Sequence, residues 1–82
     1  MNGALTMSNG YTVAMASAIQ NADDDSIGVR LGARCLAKNV SVTSIAKELG
    51  VTRQTVYSWF TGKYRPHVSK IPKIRVLLVD LR

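Results

Sequence analysis

In the stretch "SVTSIAKELGVTRQTVYSWFTG", residues 41–62, two helical stripes are separated by a turn so short that it limits the fold more than any other feature of the chain. Ser41 supplies a hydroxyl cap for the first helix, Ile45 and Leu49 fall four apart on its apolar side, and Gly50 ends it. After only Val51, Thr52 is placed to cap a second helix that Gly62 ends. Helices joined this tightly cannot lie flat against each other and must cross. The small Ala46 suits the close approach that a crossing needs.

The second helix, residues 52–61, has two unlike sides. At 100° per residue, Val56, Trp59 and Phe60 gather on one side, Gln54, Ser58 and Thr61 point the other way, and Tyr57 lies on the border. Arg53, in the first turn, projects past the helix tip. Arginine bonds guanine through two donors, glutamine matches adenine, and serine or threonine reads either, all in a major groove wide enough to admit a helix. The plain alternatives are that Gln54 and Ser58 are solvated helix positions and that Arg53 pairs with a carboxylate. Tyr57 either covers the edge of the core or faces outward. Trp59 lies with Val56 and reads as core rather than as a stacking platform.

Elsewhere the chain reads as short helices. Residues 1–25 form a leader: flexible to Gly10, then "YTVAMASAIQNA" as one short helix with Tyr11, Met15, Ala18, Ile19 and Ala22 on one face. The run "DDDS" places anions and a Ser26 cap at the start of a helix over 26–38, with Ile27, Leu31 and Cys35 spaced by four and Leu36 beside them. Asn39 is a left-handed stop. In the tail, Ile71, Ile74, Leu77, Leu78 and Leu81 have helical spacing, with Pro72 in a first turn opened by Ser69. The same tail is rich in β-branched residues, so a strand stays open.

Charge narrows the partner. All 11 Lys and Arg lie in residues 26–82, against Glu48 and Asp80 alone, for a net of +9, whereas residues 1–25 carry only Asp23, Asp24 and Asp25. A basic domain behind an acidic leader favours a polyanion, nucleic acid or an anionic surface, over a mere surplus of solubilising charge. Cys35 is the single cysteine and reads as a small buried residue, which excludes an internal disulfide. His67, also single, reads as a loop residue within reach of a phosphate, without metal-ligand spacing. No apolar run approaches the ~20 residues of a membrane span, and no secretory signal opens the chain, so an intracellular, cytoplasmic protein is expected. Eighty-two residues close one modest core, burying about 60% of the unfolded surface, so a separate ligand or effector domain is not expected.

Residues 42–61 resemble the helix-turn-helix of the Cro and phage-repressor group: Ile45, Ala46, Leu49, Gly50, Val51, Val56 and Trp59 all fall at the motif's offsets. The following "GKYRP" is similar to that family's basic loop, and the resemblance extends over about residues 26–81. It implies an all-α fold, a compact bundle of about five short helices, forming a homodimer on a pseudo-palindromic double-stranded DNA operator. Position by position it implies base reading by Thr52, Arg53, Gln54 and Ser58. Phosphate contacts are implied for Ser41 and Thr43, and backbone contacts for Tyr57, Thr61, Lys63, Tyr64 and Arg65. Lys63 and Arg65 also have a reading as plain loop charges. One departure is Val42, where the family often has glutamine, so a phosphate contact or brace is either missing or supplied by Thr43.

The function expected is transcriptional regulation, as a repressor acting by occupancy, with no cofactor, metal, membrane or small-molecule ligand. Self-association is expected through the C-terminal segment, where Val76 and Val79 lie off the face that the tail helix needs for its own core. Two rivals remain: a protein-interaction module aimed at the transcription machinery, and a DNA-targeting piece of a recombinase or transposase. An enzyme is not expected, because no acidic cluster is spaced for divalent metal and no nucleophile is partnered with a base.

Overall fold

Among the described residues, four of the five α-helices begin at a hydroxyl that accepts the backbone N–H three residues on. Thr12 Oγ1 accepts from Met15 at 3.0 Å, Ser26 Oγ from Val29 at 3.4 Å, Ser41 Oγ from Ser44 at 3.1 Å and Thr52 Oγ1 from Thr55 at 3.1 Å. The computed structural model describes residues 11–22 and 26–82, so the leader to Gly10 and the three aspartates at 23–25 lie outside the described residues. Among the described residues the helices are α1 (Val13–Gln20), α2 (Ile27–Lys38), α3 (Val42–Leu49), α4 (Arg53–Phe60) and α5 (Ile71–Asp80), with a 3-10 turn at Val68–Lys70 before the last. Left-handed residues end α2 and α3 as the sequence indicates: Asn39 has φ 63° and Gly50 has φ 68°. The fold is all-α, and among the described residues no helix is long and apolar enough to cross a membrane.

Three local expectations are corrected. The first helix starts at Val13, not Tyr11, because Thr12 takes the extended conformation of a cap. Tyr11 therefore leaves the helix, buries its ring completely and donates its hydroxyl to the Val40 carbonyl at 2.9 Å. Burial raises its phenol above the ordinary value. Of the face read for this helix, Ile19 is buried and Met15 half-buried, but Ala18 is exposed and Ala16 takes the inward position. In the tail, Ser69 is not the cap: His67 Nδ1 accepts the Ser69 N–H at 3.1 Å and so closes the 3-10 turn. The tail is a helix, not a strand, with Pro72 in its first turn as expected. Ile74 is fully buried and Leu77, Leu78 and Leu81 pack at the edge of the core, which is the single-sided docking that helical spacing provides.

The core is built around α2. Leu31 and Cys35 are fully buried with Val56, Phe60, Ile74 and Tyr11. Burial pushes the Cys35 thiol up to about 12, so it stays protonated at neutral pH and behaves as a small apolar filler. The contact with α4 rests on two glycines one turn apart. A methyl group at Gly28 would lie 2.9 Å from the Trp59 carbonyl oxygen and 3.2 Å from Pro66 Cγ; one at Gly32 would lie 2.7 Å from Phe60 Cγ. Two bare turns of α2 therefore form the seat for Trp59 and Phe60.

Gly32→Ala provides a test with an informative sign. At an open helical site this change stabilises by about 1 kcal/mol, through propensity alone. Here the fully buried Phe60 must move, and overpacking of this kind costs ~1–3 kcal/mol. Urea denaturation should show a net loss of stability; a gain would mean that α4 is not seated on this turn.

Candidate nucleic-acid interface

The geometry of the site begins at the turn between α3 and α4. Gly50 and Val51 return their N–H groups to the end of α3, Val51 to the Ala46 carbonyl at 3.0 Å, so the chain reverses within three residues. Ile45, Ala46 and Leu49 of α3 are buried, and so are Val56, Trp59 and Phe60 of α4. Both helices thus present their remaining sides outward.

A second tie comes from outside the motif. Lys70, half-buried just before α5, donates from Nζ to the Leu49 carbonyl at 2.8 Å. That carbonyl is one of the acceptors left over at the C-terminus of α3, where a cation is also favoured by the helix dipole. The ammonium braces the turn that aims α4. Nothing in the sequence signals it, because donor and acceptor are 21 residues apart.

On the outward side of α4, Thr52, Gln54, Thr55, Ser58 and Trp59, with Tyr64 from the following loop, line one groove of about 380 Å³. Three of the four residues assigned to base reading therefore converge there. The fourth, Arg53, stands exposed in the first turn. Gln54 and Thr52 are exposed and Ser58 is half-buried. Thr55 belongs to the same groove and was not singled out from the sequence; its signal was the three-residue spacing from the cap, which brings its hydroxyl to 3.0 Å from that of Thr52. The hydroxyl of Ser58 donates to the Gln54 carbonyl at 3.1 Å, and that of Thr61 to the Tyr57 carbonyl at 2.8 Å.

The residues assigned to the DNA backbone surround this flank at several points. Lys63, Tyr64 and Arg65 are exposed in the loop after α4, with the Lys63 ammonium 5.7 Å from the Tyr64 ring centre. The loop is fastened at both ends: the Tyr64 N–H donates to the Ser58 carbonyl at 3.2 Å, and Pro66 is buried near Gly28. Tyr57 is half-buried and packs against the core, and Thr61, one helical turn further on, is half-buried as well. At the start of α3, Thr43 is exposed and Ser41 is occupied as the cap, its Oγ 2.8 Å from that of Ser44. Val42 is 2% exposed, so the position where the family often has glutamine points into the core here. His67 is exposed, with Nδ1 engaged by Ser69.

A family model described as Helix-turn-helix matches residues 31–78, more than half of the chain, from within α2 to within α5. No curated protein and no solved structure gives a match.

The brace from Lys70 is open to a direct check. Lys70→Met keeps most of the aliphatic stem and removes the charged donor, and a bond of this type at a partly exposed site is worth roughly 1 kcal/mol. Thermal or urea melts should show that loss, against almost none for Lys73→Met at an exposed position of α5. Equal effects from the two changes would mean that the tie to Leu49 contributes nothing.

Proposed function

The chain belongs to the helix-turn-helix family of the Cro and phage-repressor type, and on that premise we propose that it binds a specific double-stranded DNA operator and represses transcription by occupying a promoter. The observation that carries this reading is the groove on the outward flank of α4. Polar residues able to read base edges line it, the helix is buried from behind, and the exposed cations Lys63 and Arg65 follow directly in the chain. Such an arrangement suits a helix laid in the major groove with its early residues against the bases.

In this reading Thr52, Arg53, Gln54 and Ser58 face base edges, Arg53 matching guanine and Gln54 matching adenine. Ser41, Thr43, Tyr57, Thr61, Lys63, Tyr64 and Arg65 lie along the phosphates. Phosphate contacts supply much of the affinity and its salt dependence; base contacts supply the selectivity. The site of action is the compartment that holds the DNA, the cytoplasm of a prokaryotic cell.

The operator is read by two copies. Val76 and Val79 are 58% and 57% exposed on α5, an apolar surplus that the chain's own core does not use. Pairing of this segment across a two-fold axis covers it and sets two α4 helices about 34 Å apart, one turn of DNA. A second reading, a protein-binding module, draws on a separate groove of about 180 Å³ with Leu78 and Val79 among Arg30, Arg34 and Arg82. That chemistry suits an acidic, apolar peptide. Capture of such a peptide that survives excess duplex DNA at raised salt would favour it.

Two outcomes follow. In binding titrations, Arg53→Ala should cost ~1–3 kcal/mol on the selected operator and relax preference at one base pair, whereas Lys63→Ala should weaken all duplexes alike and flatten the salt slope. Equal losses on operator and random DNA for Arg53→Ala would contradict the base-reading role. In sedimentation, the wild-type chain should dimerise and Val76→Glu should be monomeric. A wild-type monomer at high concentration, binding one half-site per chain, would rule out the paired form.

A further inference from the structure

A serine in the major groove ordinarily reads either polarity, because its hydroxyl both donates and accepts. Ser58 has lost that freedom. Its O–H donates to the Gln54 carbonyl at 3.1 Å, and a carbonyl oxygen only accepts, so the direction of this bond is fixed. The hydrogen is spent inside the helix, and what remains on the oxygen is acceptor capacity, within the groove that Ser58 lines beside Gln54 and Thr55. The same polarity recurs three residues on, where Thr61 donates to the Tyr57 carbonyl at 2.8 Å. Donors on this flank come from Arg53, from the Gln54 amide and from whichever of the Thr52 and Thr55 hydroxyls does not donate to the other.

We propose that Ser58 determines specificity by accepting a hydrogen bond from an exocyclic amine, adenine N6 or cytosine N4, in preference to donating to the thymine or guanine carbonyl. This deepens the DNA-binding reading and rests on it. Turning the hydroxyl round to face a base carbonyl would forfeit the bond to Gln54, which sets a preference of about fivefold for the amine.

The test starts by selecting an operator from a random duplex pool with the full chain, and finding the base pair at which Ser58→Ala abolishes the preference. At that pair, single groups are then deleted. Purine replaces adenine or 2-pyrimidinone replaces cytosine to remove the amine; 5-methyl-2-pyrimidinone replaces thymine or 2-aminopurine replaces guanine to remove the carbonyl. Loss of the amine should weaken the wild-type protein about fivefold more than it weakens Ser58→Ala, while loss of the carbonyl should weaken the two proteins equally. Ser58→Thr, which keeps the hydroxyl and its bond to the preceding turn, should behave as wild type. Whichever of adenine or cytosine carries the coupled amine identifies the base read.

Coupling of Ser58 to the carbonyl deletion would overturn the proposal. So would a pool in which no pair responds to Ser58→Ala while the variant keeps its helical circular dichroism. Both results leave DNA binding standing. A pool that yields no enriched duplex would instead overturn the DNA-binding reading, and this inference with it.

Discussion

The fit of Trp59 and Phe60 onto the bare turns of α2 at Gly28 and Gly32 is the contact on which the rest of the structure depends. A helix of eight residues such as α4 cannot hold itself together in water, since isolated helices of this length are marginal at best. Its order comes from the apolar side it buries. Close approach of the two backbones fixes both the depth and the rotation of α4, and rotation decides which residues face outward. If α4 turned by one residue, about 100°, the flank that Gln54 and Ser58 share would no longer face outward.

Around that seat the chain adds restraints of a different kind, each acting at an end of α4. Gly50 permits the sharp reversal at its start, Lys70 ties that reversal to the beginning of α5, and the Tyr64 N–H and buried Pro66 fasten the loop at its close. The outward hydroxyls are also restrained, with Thr52 held by the cap and Ser58 by the preceding turn. Groups fixed before a partner arrives lose less entropy on binding, so the bonds that hold these hydroxyls sharpen what the flank can present.

Much of this was legible because the relevant rules are local. Ser26, Ser41 and Thr52 cap helices by their own hydroxyls, Asn39 and Gly50 stop them by backbone conformation, and the two sides of α4 follow from periodicity. The features that escaped depend on residues distant in sequence. Lys70 meets Leu49, and Tyr11 meets Val40, only after the chain has folded. The glycine pair in α2 is intermediate: its four-residue spacing is visible in the sequence, but a reading that follows apolar side chains passes over residues that act by having none. At the start of the tail, Ser69 does not open α5, because a 3-10 turn intervenes: His67 caps that turn through its ring nitrogen, and α5 follows from Lys70 with no side-chain cap.

The central claim is that a helix buried from behind offers its polar flank to base edges. Nuclear magnetic resonance of the isotope-labelled chain, titrated with a duplex selected from a random pool, tests it residue by residue. The account predicts amide shift changes concentrated over residues 52–65 and at the start of α3, with the α2 and α5 residues around Arg30 and Arg34 undisturbed by the duplex itself. Changes centred on those arginines instead, with residues 52–58 unmoved, would contradict it.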